Sequence, residues 1–173
     1  MLIIITGNGK GKTTSAVGQT IRAVGQGSKV YFTQFIKSDS YPSGEDKVLR
    51  SMSPKVRFEK GGRGFVGIMG DKLPRAVHVA AAKKCLQRAR AAARSGKYGL
   101  VVLDEVNVAL ALKLLTLKSV AAFLADVPPG TDIILTGRGA HPSLIRKADL
   151  VTECNEVKHP YQKKVAARKG LEY

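Results

Sequence analysis

Tryptophan is absent from this 173-residue sequence, and aromatic residues make up only 6% of it. Single-stranded nucleic acid is held on aromatic side chains that stack with the bases, so there is little from which to build such a groove. Acidic residues are scarce too: 13 Asp and Glu stand against 29 Lys and Arg, a formal net charge of +16. Cysteine occurs twice, at Cys85 and Cys154, without the spacing of a zinc site or a disulfide framework. Cys85 falls on the apolar side of a helical pattern and Cys154 in a strand-like run, so both read as buried thiols of a reduced, cytoplasmic protein. The first apolar run, Leu2–Ile5, is too short to span a membrane, and no basic segment with a cleavage site marks a signal peptide. The histidines His78, His141 and His159 stand apart, no HxxxH or CxxC pattern is present, and G-x-S-x-G is missing. Zinc chemistry and the usual serine-hydrolase arrangement lose their support with them.

The most informative stretch present is Thr6-Gly7-Asn8-Gly9-Lys10-Gly11-Lys12-Thr13. A β-branched apolar strand precedes it, and a proline-free helical pattern from Thr14 to Val24 follows, which is the context of a phosphate loop. Glycines let the backbone wrap an anion closely, while amides at the helix start point at it with the helix dipole behind them. Lys12 supplies a mobile positive charge and Thr13 a hydroxyl for magnesium. The general pattern begins with glycine; here Thr6 holds that position and Gly7 comes one residue later, so the loop is expected to enter at a different angle.

Strand-like and helical patterns alternate along the chain. This predicts one α/β domain over residues 1–173, a phosphate-loop NTPase-like (RecA-like) fold with a mostly parallel sheet of about six strands and helices on both faces. Further strands are read at 28–36, 55–59, 100–104, 132–136 and 150–153. Helices are read near 45–52, from Pro74 to about Arg94, over 106–115 and 117–124, and from Pro142 to Ala148. The segment Gly61–Pro74 is glycine-rich, with Phe65, Val66, Ile68 and Met69 embedded in it. Lys83, Lys84, Arg88, Arg90 and Arg94 share about half of one helix surface, opposite Ala82, Cys85, Leu86, Ala89 and Ala93, and read as a solvated face. Asp104-Glu105 ends an apolar strand, where one carboxylate can hold magnesium and the other can orient a ribose or a reacting group. The simpler reading makes the pair a helix cap. The phosphate loop, Gln34, Asp104-Glu105 and Thr136-Gly137-Arg138 all fall at carboxyl ends of strands, where open parallel sheets bind ligands.

The loop 6–14 resembles the signature of the phosphate-loop ATP:corrinoid adenosyltransferases. So do Arg22-Ala23-Val24-Gly25, Gln34-Phe35-Ile36-Lys37, Val101–Glu105, Thr136-Gly137-Arg138-Gly139 and Val157-Lys158-His159-Pro160, in matching order and spacing. The resemblance implies that a cobalt(I) corrinoid attacks the ribose C5′ of ATP and expels triphosphate, with ATP lying in reversed polarity on the loop. It implies ligand binding by Thr6, Gly7, Asn8, Gly9, Lys10, Gly11, Lys12, Thr13 and Thr14, with Arg22, Phe65 and Arg138. Lys12, Thr13, Asp104 and Glu105 would be catalytic, with Mg2+ on Thr13 and Asp104 and with Phe65 at the lower face of the corrin ring. It further implies a homodimer and an electron donor that reduces cobalt; no membrane partner is expected, given the short apolar runs. Members of that family can carry an N-terminal helical extension over the corrinoid, whereas this sequence starts at its first strand. Gly67 stands where some relatives have tryptophan. The competing expectation is a phosphate-loop ATPase acting on nucleic acid, which the charge favours and the lack of aromatics does not.

Overall fold

The first strand, β1 (Leu2–Thr6), lies inside a six-stranded sheet whose neighbours are all parallel to one another. The computed structural model describes residues 1–68, 70–158 and 168–171, so Met69, His159 and Pro160 lie outside the described residues. After β1 come α1 (Lys12–Gly25), β2 (Val30–Gln34), α2 (Gly44–Ser51), β3 (Val56–Lys60) and α3 (Arg75–Arg94). Next follow β4 (Leu100–Asp104), α4 (Val106–Ala111), α5 (Leu117–Ala125), β5 (Asp132–Thr136), α6 (Pro142–Ile145) and β6 (Leu150–Glu153). The strand order is β3-β2-β4-β5-β1-β6. A strand, β5, therefore separates the phosphate-loop strand from the strand that ends in the acid pair. The expected mostly parallel sheet is wholly parallel in the described residues.

Both faces of the sheet are covered, and β4 shows why its run is apolar throughout. Val101 and Leu103 belong to one core cluster, with Cys85, Leu86 and Ala89 of α3 and Phe123 of α5. Leu100 and Val102 point to the other, with Ala16 of α1 and Leu49 of α2. Alternate residues thus serve opposite cores, so a central strand has no polar face to show. The apolar side of α3 is buried as its spacing indicates, with Ala82, Cys85, Leu86, Ala89 and Ala93 all in the core.

Two expectations are corrected. The helix after the acid pair stops at Ala111 instead of running to Leu115. Lys113 adopts a left-handed φ of 55°; its N–H donates to the Leu110 carbonyl at 2.8 Å, and Leu114 N–H donates to the Ala109 carbonyl at 2.9 Å. This paired termination normally uses glycine, so no sequence punctuation announced it. It turns the chain sharply and tucks Leu114 and Leu115 into the core. Cys154 is half-buried and lies just beyond β6, against the phosphate loop, whereas Cys85 is a buried core thiol as expected. Burial pushes the Cys85 thiol up to about 11, and Thr33 Oγ1 lies 3.0 Å from its sulfur.

Leu103 is fully buried in β4. Leu103→Ala is expected to lower unfolding free energy by about 2–5 kcal/mol, read as a lower urea midpoint with an unchanged slope.

Candidate functional site

The loop between β1 and α1 is shaped by two different uses of glycine. Gly7 has a φ of 96°, and a Cβ there would come within 2.4 Å of the Cys154 carbonyl oxygen. A Cβ on Gly9 would meet the Asn155 backbone at 2.7 Å, and Gly9 N–H donates to the Cys154 carbonyl at 2.7 Å. These two glycines let the loop lie directly on the chain leaving β6. Gly11 differs: its φ is 113°, and the nearest atom to an added Cβ is 4.0 Å away. It caps α1 with its open side free, and no side chain caps the first amides of that helix. Amides left in this state form an anion site. Thr6 replaces the customary first glycine because its Oγ1 accepts a hydrogen bond from Ala140 N–H at 3.2 Å, while Gly7 takes the left-handed turn.

Lys12 is buried, and its ammonium donates to the Gly9 carbonyl across the loop. Burial lowers its pKa, Glu105 opposes that shift, and Arg138 adds to it. Asp104, at the end of β4, has no exposed surface. Its carboxylate accepts from Thr13 Oγ1 at 2.9 Å, Thr136 Oγ1 at 2.6 Å and Gln34 Nε2 at 3.0 Å, and the Lys37 ammonium lies 3.6 Å away. Glu105 occupies the cap position of α4 with a left-handed φ of 63°, yet its side chain caps nothing. The helix-cap reading therefore fails for Glu105, and Asp104 is committed to its three donors. Burial, then the neighbouring Asp104, raises the Glu105 pKa.

These groups border a cleft of about 560 Å³. Lys10, Gly11, Lys12, Thr13, Thr14 and Glu105 line it, with Asp104 hydrogen-bonded to Thr13 beneath. Asn8 is exposed on the loop. Arg138 is exposed at the β5 exit, near enough for its charge to act on both Lys12 and Glu105. Arg22 sits in the last turn of α1; ten residues of helix put it about 15 Å along the axis from Lys12. Phe65 does not line this cleft; its ring meets Tyr41 edge-on at 5.1 Å.

Sequence reasoning missed four contributors, in two groups. Lys37 and Glu45 pair at 3.0 Å across the cleft mouth, and the Lys37 pKa is raised, because its acidic neighbours outweigh the burial that would lower it. Gly170 and Leu171 form another wall, with the Lys10 ammonium donating to the Leu171 carbonyl. Only the position of Lys37 just past β2, at the same carboxyl edge as Gln34, hinted at the first of these.

Magnesium prefers oxygen donors and keeps several waters or phosphate oxygens when few protein ligands are offered. The Thr13 hydroxyl beside a buried Asp104 carboxylate suits that preference. Among the described residues no group of three or more His, Cys, Asp or Glu could hold a metal, so a site here would rest on these two and the nucleotide.

The family described as ATP:corrinoid adenosyltransferase BtuR/CobO/CobP matches residues 1–173. The chain belongs to this family. A corrinoid adenosyltransferase of Pseudomonas aeruginosa is 38% identical over all of this chain and 83% of its own length. One of Escherichia coli K12 is 37% identical over all of this chain and 85% of its own. A KaiC-like protein of Pyrococcus horikoshii shares the fold at TM-score 0.53 and 18% identity, over 88% of this chain and 71% of that one. Within this adenosyltransferase-family site, burial and the neighbouring Asp104 disfavour the charge of Glu105.

A folded pKa above 4.5 means that the native state binds the Glu105 proton more tightly than the unfolded chain does. Stability from this group is thus present below the unfolded pKa and lost as pH rises through the folded one. Glu105→Gln is expected to raise the thermal midpoint at pH 7, with the gain shrinking toward pH 4; an equal gain at both pH values would contradict this.

Proposed function

We propose that the protein transfers the 5′-deoxyadenosyl group of ATP to the cobalt(I) of a corrinoid, with triphosphate leaving. The observation that carries the reading is the phosphate loop tied through Thr13 to a buried Asp104, in a chain that belongs to this family over its whole length. In the step, the cobalt(I) electron pair forms the Co–C5′ bond, and the electrons of the broken C5′–O bond depart on triphosphate. Negative charge then grows on the leaving group, next to the open amides at the start of α1 and the Lys12 ammonium. Donors fixed in advance at a developing charge lower the barrier without having to reorganise. The nucleophile arrives already deprotonated, so no side-chain base is called for.

Each residue near the acid pair has a task in this reading. Gln34 and Thr136 hold the Asp104 carboxylate in one orientation toward Thr13. Magnesium held by Thr13 and Asp104 would neutralise part of the triphosphate charge. Glu105 faces the same cleft and is the candidate partner of the ribose. Phe65 is assigned to the lower face of the corrin ring, where it would exclude water and a lower ligand. The family resemblance also carries a homodimer, a cytoplasmic location and an external electron donor for cobalt. Among the described residues no helix is long and apolar enough to cross a membrane.

Action on nucleic acid is the weaker reading. Arg88 and Arg90, two cations of the basic face of α3, are engaged by Glu59 and Asp126, so that face is not an open strip of charge.

Lys12→Ala is expected to slow turnover by about 10²–10³-fold, the usual loss for one preorganised donor. The product from unaltered protein should be intact triphosphate, and ADP without adenosylated corrinoid would overturn the assignment. Asp104→Asn keeps the shape and removes the charge. It should raise the magnesium concentration needed for half-maximal rate while leaving corrinoid KM little changed, measured by titration at saturating ATP.

A further inference from the structure

A second cavity, about 440 Å³, opens beside the nucleotide cleft and shares no lining residue with it. The two are nonetheless one residue apart in the chain: Lys37 lines the nucleotide cleft, and Ser38 lines the second cavity. Its other walls are the β3 exit, from Lys60 to Arg63, and the flank of α3 with Lys84 and Arg88. The exit from β3 runs on into the glycine-rich segment that carries Phe65.

The charges around this cavity are uneven. The Lys60 ammonium is taken up by Asp46 and by the Tyr41 carbonyl at 2.9 Å, and Arg88 donates to Glu59 at 2.7 Å. Asp39, the acid in the lining, is paired with Arg50 at 2.7 Å. The side chains of Arg63 and Lys84 make no ion pair or hydrogen bond among the described residues, and both residues are exposed. Ser38 is nine-tenths buried, and its hydroxyl has no hydrogen-bond partner. A buried hydroxyl left without a partner is costly, and a donor that shares a cavity with two unpaired cations suits an anion.

We propose that Ser38, Arg63 and Lys84 form an anion pocket that receives an acidic peripheral group of the corrinoid. This rests on the adenosyltransferase reading and adds a selectivity to it. The shared chemistry is a single anionic oxygen cluster, which on a corrinoid is either a side-chain carboxylate or the phosphodiester of the nucleotide loop. Either would reach the pocket from the edge of a ring placed, on that reading, near Phe65, which follows the cavity's Lys60–Arg63 wall in the chain. Guanidinium and ammonium groups at the cavity rim supply charge, and the Ser38 hydroxyl supplies a directed hydrogen bond.

The test compares kcat/KM for three chemically reduced corrinoids: cobyrinic acid a,c-diamide, which bears carboxylates; cobalamin, which bears the phosphodiester; and cobinamide, which bears neither. Arg63→Gln and Lys84→Gln, both at exposed positions, are each expected to lower preference for an acidic corrinoid over cobinamide about tenfold, the loss of one charge-assisted contact. Ser38→Ala should act in the same direction. A fall for the a,c-diamide supports the pocket and assigns it to a carboxylate; a fall for cobalamin supports it and assigns it to the phosphodiester. Unchanged ratios, including equal losses with all three corrinoids, overturn the pocket. If the unaltered protein adenosylates none of the three, the adenosyltransferase reading fails and the pocket with it.

Discussion

The buried carboxylate of Asp104 is the point on which the site depends. A charged group with no exposed surface is costly to desolvate, and the cost is offset only when its oxygens are saturated with good donors. Here the donors come from Gln34 at the end of β2, Thr136 at the end of β5 and Thr13 in the first turn of α1. One side chain therefore ties three separate segments to the end of β4. The same ties fix the distance between the phosphate loop and the acid pair, since Thr13 belongs to the loop and Glu105 follows Asp104. Thr136 extends the network by accepting from Glu105 N–H at 2.9 Å. Stability and preorganisation draw on the same few hydrogen bonds.

The loop is held from the other side by β6. This edge strand is exposed along its length and looks dispensable as a core element. Its exit is not dispensable: Cys154 receives the Gly9 amide and gives its own to the Thr6 carbonyl at 2.8 Å. Close backbone approach there uses up the freedom of Gly7 and Gly9, and leaves the open face of Gly11 for a ligand. Glycine-rich loops are usually explained by the anion alone, yet here part of the glycine content answers to the protein's own backbone.

The basic excess is partly structural and partly directed. Arg88 serves Glu59, which also accepts from the Tyr31 hydroxyl, and burial with that carboxylate raises the Tyr31 pKa well above the ordinary tyrosine range. Lys60 pins the β2–α2 connection from below, and Lys37 closes the cleft mouth onto Glu45. Cations placed in this way organise loops around the carboxyl edge of the sheet. The exposed remainder contributes a general attraction for anions that salt weakens.

Apolar patterning made the fold legible: four central strands with apolar runs, helices with one apolar side, and loops with glycine or proline between them. The alternation of the two argued for a mostly parallel sheet covered on both faces. Because local motif and strand end coincide in such sheets, Lys12, Thr13, Asp104 and Glu105 could be placed together from the sequence itself. The tertiary structure decided what depends on separate segments meeting. Lys37 and Glu45, the Cys154 contact, the wall at Leu171 and the pairing of Phe65 with Tyr41 leave no periodic trace, since each joins residues of different elements or loops. The early end of α4 escaped notice for a different reason. Lysine at the left-handed position carries no local signal, and the turn is held there by burying Leu114 and Leu115, a gain that exists only once the core is assembled.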